Sequence, residues 1–489
     1  MGQASAFNVI YFSIGWVTVP LPNAPILFDL FGKVVPPQFF DELRERLGLQ
    51  AQGVYTLAVV VWLMMWQRLD GRGTLAVAVQ QVVQGVLGAM LPPDKRVREG
   101  RVSSNPGALC RARQRMPLEA AEAVCDEVFT KLTAAEPGEG LRSRLFLLDG
   151  SSMRTAHTPS LVAAYPPGSN QKGEGHWPVI RVLLAYQASS GLVARPCWGP
   201  MYGQHAVSEQ ALTKPILERI PKGSAVMADI NFGLYSVAWD VPQSGCDMLF
   251  RLQPGRARTI AGGSLPPVNS ERRVEWRPSR DDRRAHPELP ADAVIRGRLI
   301  VAQVNGKDGK SVPLYLFTTL EEPWEEVVEL YRRRWDVELD IRSLKQTLRM
   351  HSLSSKSPEG VEKELLLATA GYNLVRSVQV AAARQANLKT RRLSFSRVQA
   401  VVMTALPRLA TTTDAAQWEK EYQQLLRWAA QGKLPNRGGP RSFERALWGK
   451  GAKFPSHKRA PKASVRRGFS PPATAFIRAS SAGLKSRAG

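Results

Sequence analysis

The strongest constraint on the fold of this chain is a change in its apolar pattern at Leu145. Before this point, apolar residues recur at helical spacing, as in residues 38–90 and 106–115. After it, short apolar runs predict strands at 145–148, 179–186, 192–197, 225–228 and 247–252. Helical patterns separate the last three runs, the first of them over 208–219. This order predicts an α/β (α+β) protein with a mixed sheet and helices on its faces.

The chain divides into four predicted segments. Residues 1–135 are predicted to form a helical domain, and residues 136–385 an α/β domain with a β-rich, Arg-rich insertion at 251–320. A helical region at 386–433 leads into a basic tail, 434–489. The tail contains 13 Lys and Arg residues against one acidic residue and is rich in Pro, Gly and Ser, so we expect it to be largely disordered and attracted to DNA.

The charge of the chain indicates a polyanionic partner. Its 66 Lys and Arg residues outnumber 42 Asp and Glu residues, which gives a net charge of +24. Nucleic acid is the usual partner of such a protein, and an anionic membrane surface is the alternative. Residues 54–66 form an apolar run of 13, too short to span a bilayer, and no targeting segment is evident. The four Cys residues are widely spaced, which argues against zinc and disulfides and favours a reducing cytoplasm.

Two stretches are rich in arginine. A predicted helix at 106–115 displays Arg111, Arg113 and Arg115, which we expect to contact DNA; a solvated basic helix in a packed domain is the alternative. Residues 251–300 hold 11 Arg and no Lys against six acidic residues. Arginine favours multidentate contact with phosphate, although a codon bias would also produce this composition.

Three carboxylates are candidates for chemistry. Asp149 and Asp229 each follow a short apolar run, where a side chain can emerge from the edge of a sheet, although an Asp-Gly pair such as Asp149-Gly150 is also a common turn. Glu338 lies on a predicted helix. If the three converge, their repulsion calls for cations, and hard oxygen ligands suit Mg²⁺ or Mn²⁺. Two such ions can promote an in-line phosphoryl displacement.

The helix that carries Glu338 has a polar stripe. At about 100° per residue, Tyr331, Arg334, Glu338 and Lys345 fall on one side of a continuous α-helix. Such a stripe can hold a metal ion and contact a phosphodiester backbone. Arg334 and Glu338 are also an i,i+4 pair of the kind that solvated helix faces commonly carry.

The spacing Tyr331-x2-Arg334-x3-Glu338-x6-Lys345 resembles the Y-R-E-K signature of DDE transposases in the large bacterial insertion-sequence group that forms hairpin ends. Residues 147–152 and 228–233 resemble the first and second catalytic blocks of that group. Residues 103–117 are similar to the helix that leads into its catalytic domain, and the resemblance covers about 100–385.

The resemblance implies an RNase H-like core in which Asp149, Asp229 and Glu338 are the catalytic metal ligands. It further implies that Tyr331, Arg334 and Lys345 contact phosphates at the element's end. Two positions depart from the family pattern or are weakly placed. Asn231 stands where the family usually has Arg. The sequence does not fix which tryptophan corresponds to the one that receives a flipped base in relatives: Trp276 is a candidate, and Trp335 beside the stripe fits a packing role equally well.

The sequence therefore predicts a DNA transposase of the cut-and-paste type that requires Mg²⁺ or Mn²⁺. Its expected partners are double-stranded DNA, as terminal inverted repeats and target, and a second copy of the chain that synapses two ends; no membrane partner is expected. The expected location is the bacterial cytoplasm, associated with the nucleoid. The alternatives are an RNase H-like nuclease or recombinase without transposition, and a catalytically inert DNA-binding derivative.

Overall fold

A computed structural model describes residues 11–14, 17–20, 34–50, 53–71, 73–135, 140–170, 173–305, 311–412 and 414–435. The described residues up to Leu434 form one compact unit. The tail predicted to be disordered lies outside the described residues, apart from its first two. An antiparallel pair, β1 (Tyr11–Ile14) and β2 (Val17–Pro20), comes first in the chain.

The amino-terminal segment is helical, as its apolar spacing predicted. Thr56 caps the long apolar helix of this segment, since its side chain accepts a hydrogen bond from the Val59 amide at 3.4 Å, and Gly71 ends the helix at φ 72°. The helices are α1 (Pro37–Arg46), α2 (Leu57–Asp70), α3 (Leu75–Val83), α4 (Lys95–Arg98), α5 (Gly107–Arg115) and α6 (Leu118–Ala135).

A nine-stranded mixed sheet forms the centre of the protein. Its first part comprises α7 (Leu141–Arg144), β3 (Leu145–Arg154), α8 (Pro159–Ala164), β4 (Pro167–Asn170), β5 (Gly173–Gln187), β6 (Cys197–Pro200), α9 (Thr213–Leu217), β7 (Ala225–Ala228), α10 (Tyr235–Gln243) and β8 (Asp247–Arg251). The strands β6, β5, β3, β7 and β8 are neighbours in that order, with β3, β7 and β8 parallel. This arrangement is the mixed sheet of an RNase H-like core.

The insertion extends this sheet. It comprises α11 (Pro254–Ile260), β9 (Ser270–Trp276), α12 (Arg280–Ala285), β10 (Ile295–Asn305) and β11 (Ser311–Thr318). Strand β11 pairs antiparallel with β8, and β10 and β9 follow outward. The predicted β-rich insertion is therefore continuous with the catalytic sheet.

One long helix joins the parts of the protein. The remaining elements are α13 (Trp324–Arg332), α14 (Trp335–Arg342), a π-helical turn (Ser343–Thr347), α15 (Pro358–Gln385), α16 (Phe395–Thr411) and α17 (Ala415–Gln431). Helix α15 packs against α6, α2 and α17, and nearly all its residues between Val361 and Ala383 are buried. A helix buried all round belongs to the interior of a large core.

Three local predictions from the sequence were wrong in detail. Asp149 does not end its strand, because β3 continues to Arg154 through antiparallel pairing with β5. The strand expected at 192–197 lies at Cys197–Pro200, and the helix expected at 208–219 is limited to Thr213–Leu217. Apolar runs indicated burial correctly in these places, but tertiary pairing decided where each element begins and ends.

Candidate active site

Two aspartates lie side by side on adjacent parallel strands. Strand β3 pairs with β7 in the register Leu145↔Ala225 to Leu147↔Met227, and the same register carried two residues further places Asp149 next to Asp229. Backbone amides orient both carboxylates: Gly150 N–H donates to Asp149 Oδ1 and Asn231 N–H donates to Asp229 Oδ1, each at 2.9 Å. These two predicted ligands are therefore brought together.

The environment of this pair disfavours two negative charges. Burial, followed by the charge of Asp229, raises the pKa of Asp149 to about 6, and the nearby Arg334 opposes the rise. A carboxyl group whose pKa is raised beside a second carboxylate is a common setting for a divalent cation or for proton transfer.

Glu338 stands apart from the pair, beside Arg334. Arg334 Nη2 lies 3.4 Å from Glu338 Oε1, and the arginine side chain is 14% exposed whereas that of Glu338 is 41% exposed. The charge of Arg334 also acts on Asp149, so this guanidinium influences both Glu338 and the aspartate pair. Within the described part of the chain, no three carboxylate, histidine or cysteine groups already form a metal-binding cluster.

The continuous helix assumed for the polar stripe was wrong. Helix α13 ends at Arg332 and α14 begins at Trp335, with a tight turn between them in which Arg333 N–H and Arg334 N–H bond to carbonyls three residues back. A π-helical turn then carries Lys345. The four side chains consequently occupy three short segments rather than one stripe.

Tyr331 and Lys345 lie at different places in the site. Tyr331 is 6% exposed, and its hydroxyl has no hydrogen-bond partner among the described residues. Burial raises the pKa of Tyr331 to about 12, and the charges of Arg334, Arg251 and Asp229 also act on its hydroxyl. Burial, and then the charge of Arg154, lowers the pKa of Lys345, which places this lysine toward the far end of β3.

The other predicted DNA contacts divide into exposed and buried groups. Arg111 and Arg115 are exposed on α5. Arg113 turns inward instead: its Nη2 donates to Ser355 Oγ at 3.3 Å, and burial lowers the pKa of its guanidinium. Trp276 is 3% exposed and packs edge-on against aromatic neighbours at the end of β9, so it can meet a DNA base only if this part of the core opens.

A fourth carboxylate, Glu209, was missed by sequence reasoning. Its side chain lies across Gly150, where an added Cβ would be 2.1 Å from Glu209 Cδ. Arg181 Nη1 lies 3.6 Å from Glu209 Oε1, and the charge of Glu209 acts on Asp149. Gly150 is therefore a strand residue that leaves room for Glu209 rather than a turn residue. Nothing in the spacing of Glu209 from the other acids reveals this contact.

Asn231 places only its backbone in the site. Its amide donates a hydrogen bond to Asp229, its carbonyl accepts a hydrogen bond from Gln210 Nε2 at 2.9 Å, and the residue is exposed.

None of the described helices has the length and apolar character needed to cross a membrane.

Comparisons with known proteins agree with this geometry. Residues 140–374, which contain β3, β7 and α14, match the family described as "Transposase DDE domain". The chain is also 27% identical over 433 residues to the transposase InsG for insertion sequence element IS4 of Escherichia coli (strain K12), and the alignment covers 83% of this chain and 88% of that protein. The chain is thus similar to a transposase DDE domain over residues 140–374 and to an insertion-sequence transposase over most of its length.

Proposed function

We propose that this protein cleaves DNA at the ends of an insertion sequence and joins the freed ends to target DNA, with Asp149, Asp229 and Glu338 as its catalytic carboxylates. The observation that carries the proposal is the register of β3 and β7, which sets Asp149 beside Asp229 at the carboxyl edge of β7. Ligands in α/β sheets bind at this edge, and the match of the surrounding residues to the DDE domain supports the same site.

The donor set fits Mg²⁺ or Mn²⁺. Two half-buried carboxylates offer only oxygen ligands, and the raised pKa of Asp149 reflects burial and a repulsion by Asp229 that a divalent cation would offset. Glu338, more exposed and held by Arg334 through a single contact of 3.4 Å, can complete the set after a side-chain rotation. When bound, two such ions would activate the attacking oxygen and stabilise the departing one.

Residues around the carboxylates would bind and orient the DNA. Arg334 carries a positive charge between Glu338 and Asp149, so pairing with an incoming phosphate would both hold the substrate and release Glu338. The Tyr331 hydroxyl, which has no hydrogen-bond partner among the described residues, is buried, so it would donate to a phosphate oxygen only after the surrounding side chains move. Lys345, Arg111 and Arg115 would contact phosphates farther along the duplex.

The proposed reaction is a series of in-line displacements at phosphorus. Water first breaks one P–O3′ bond at the element's end, and the proton of the attacking water passes to solvent. The freed 3′-hydroxyl then attacks the opposite strand, forms a hairpin and expels the flanking DNA. A second hydrolysis opens the hairpin, and the 3′-hydroxyl finally attacks target DNA. The hairpin step rests on the Y-R-E-K resemblance, and two copies of the chain would synapse the two ends.

A cleavage and joining assay tests the proposal. The substrate is a labelled duplex with the inverted repeat that flanks the gene, mixed with a target plasmid and either Mn²⁺ or EDTA. Wild type should cleave and join only with Mn²⁺, whereas Asp149→Asn, Asp229→Asn and Glu338→Gln should bind the duplex without cleaving it. Glu329→Gln, which removes an exposed carboxylate of α13, is the matched control and should remain active.

Other results would select the alternatives. Cleavage without joining would indicate an RNase H-like nuclease or recombinase, and binding without cleavage by wild type would indicate an inert derivative. Equal cleavage by wild type and Asp149→Asn would refute the assignment of the carboxylates.

A further inference from the structure

A second concentration of positive charge lies away from the carboxylates. It is a groove of about 680 Å³, called the basic groove here, between the beginning of β3, the turn after β5, the helices α13 and α14, and the segment that follows α15. Six cationic side chains line it and only one acidic side chain, Asp336. The cations are Arg142, Arg333, Arg384, Lys389, Arg391 and Arg392.

Much of this charge is not neutralised by the protein. Arg333 and Arg391 share Asp336, at 3.5 Å and 3.8 Å. Arg142, Lys389 and Arg392 make no ion pair with any carboxylate among the residues that the structure describes. Three cations beside one shared acid make a site for an anion with several negative charges.

The basic groove and the catalytic pair open on different sides of the same elements. Leu145, the first residue of β3, lines the groove, whereas Asp149 lies four residues along the strand, about 13 Å away. On the two helices, Leu330, Arg333 and Asp336 face the groove, whereas Arg334 faces Asp149.

We propose that the basic groove is a second DNA-binding site, which holds the phosphates of a duplex segment outside the catalytic centre. The cations come from four separate parts of the chain and border an open channel, which suits a backbone with regularly repeated phosphates better than a single small anion. The identity of the polyanion as DNA rests on the proposed function. The segment bound is either element DNA away from its cleaved end or target DNA, which share the same phosphate chemistry.

Arg391 lines the basic groove and also has a structural role. Its Nη2 lies 2.7 Å from Asp340 Oδ2, and its Nη1 donates to the Ala188 carbonyl at 2.6 Å. Substitution of Arg391 would disturb this network as well as any DNA contact, so the experiment leaves it intact. Arg142 and Lys389 are exposed and Arg392 is half-buried, so their replacement removes charge without removing packing.

The experiment measures the salt dependence of DNA binding by the full chain with Asp149→Asn as background, so that no cleavage interferes. Fluorescence anisotropy follows a labelled 40-base-pair duplex between 50 and 200 mM NaCl. The test protein carries Arg142→Gln, Lys389→Gln and Arg392→Gln. The matched control loses the same charge at exposed positions on other elements, through Lys131→Gln, Lys214→Gln and Arg427→Gln. A third protein keeps the charge with Arg142→Lys and Arg392→Lys.

Loss of three phosphate contacts should reduce the slope of log affinity against log salt by about 2.7. Between 50 and 200 mM NaCl, the affinity of the background protein should thus fall about 40-fold more than that of the test protein. The control and the lysine protein should keep slopes close to that of the background protein. Equal slopes for the test protein and the matched control would refute the proposal. Unfolding of the test protein, while the lysine protein remains folded, would also refute it, because these residues would then be structural.

Two probes distinguish the sources of DNA. If the test protein has a smaller salt slope with the inverted-repeat duplex alone, the basic groove binds element DNA. If its slope is smaller with an unrelated duplex as well, the basic groove binds target DNA. This readout does not depend on catalysis. If the proposed function is wrong, wild type will not cleave DNA, but the salt dependence of DNA binding will still test the basic groove.

Discussion

Replacement of Asp149 by asparagine should stabilise the metal-free protein at neutral pH. Burial and Asp229 raise the pKa of Asp149 from 3.8 to about 6, a difference worth about 3 kcal/mol at about 1.4 kcal/mol per pKa unit. A raised pKa means that the folded state holds the proton more tightly than the unfolded state. The stabilisation is therefore complete below the unfolded pKa and is lost as pH rises through about 6.

The assay is chemical unfolding in EDTA at several pH values. Between pH 5 and pH 7.5, wild type should lose about 1.4 kcal/mol of unfolding free energy relative to Asp149→Asn, because the variant lacks this ionisation. Added Mn²⁺ should stabilise wild type but not the variant. Glu329→Gln, a variant at an exposed carboxylate, should follow the wild-type curve. Parallel pH curves for wild type and Asp149→Asn would refute the account of the carboxylate pair.

Two further substitutions test the packing around the site. Gly150→Ala would place Cβ 2.1 Å from the end of the Glu209 side chain, which is flexible and can rotate away. In unfolding measurements the variant should lose at most about 1 kcal/mol of unfolding free energy. The pH dependence caused by Asp149 should shift to a lower midpoint. Gly233→Ala, whose Cβ would meet a backbone carbonyl oxygen at 2.6 Å, is the contrast and should cost more. Trp276→Ala should cost about 3–5 kcal/mol in the same measurement, with DNA affinity preserved in whatever protein remains folded.

The sheet and the aspartate pair could be predicted from the sequence because they depend on local patterns of residues. An apolar run bounded by turn residues marks a buried strand, and Asp229 directly follows such a strand, as predicted. The predicted convergence of Asp149 with Asp229 then follows from parallel pairing, even though β3 continues beyond Asp149. The sequence of α15 also contains local signals for a long helix, since it begins with a Ser-Pro cap and keeps its apolar character for seven turns.

Features that depend on contacts between residues distant in sequence could not be predicted from the sequence. The turn at Arg333 and Arg334 contains neither Gly nor Pro, so no local signal interrupts the predicted helix. Glu209 reaches Gly150 from 59 positions along the chain, and the basic groove collects cations from segments more than 200 residues apart. The periodicity of apolar residues cannot predict such long-range contacts, because they form only when the sheet and α15 pack together.

The position of Glu338, the proposed third carboxylate, depends on a buried ionic network as well as on the packing of α14 against β3. Asp340, two residues after Glu338, is 1% exposed and binds Arg376 of α15 and Arg391 of the basic groove, each at 2.7 Å. Removal of one member of such a network leaves an uncompensated charge and commonly costs about 3–5 kcal/mol. Helix α14 is thus held rigidly at Asp340, while Glu338 on its exposed side stays free to turn from Arg334 toward the aspartates. The same network connects helix α14 to the basic groove through Arg391, so DNA bound there would contact the helix that carries Glu338, the proposed third ligand.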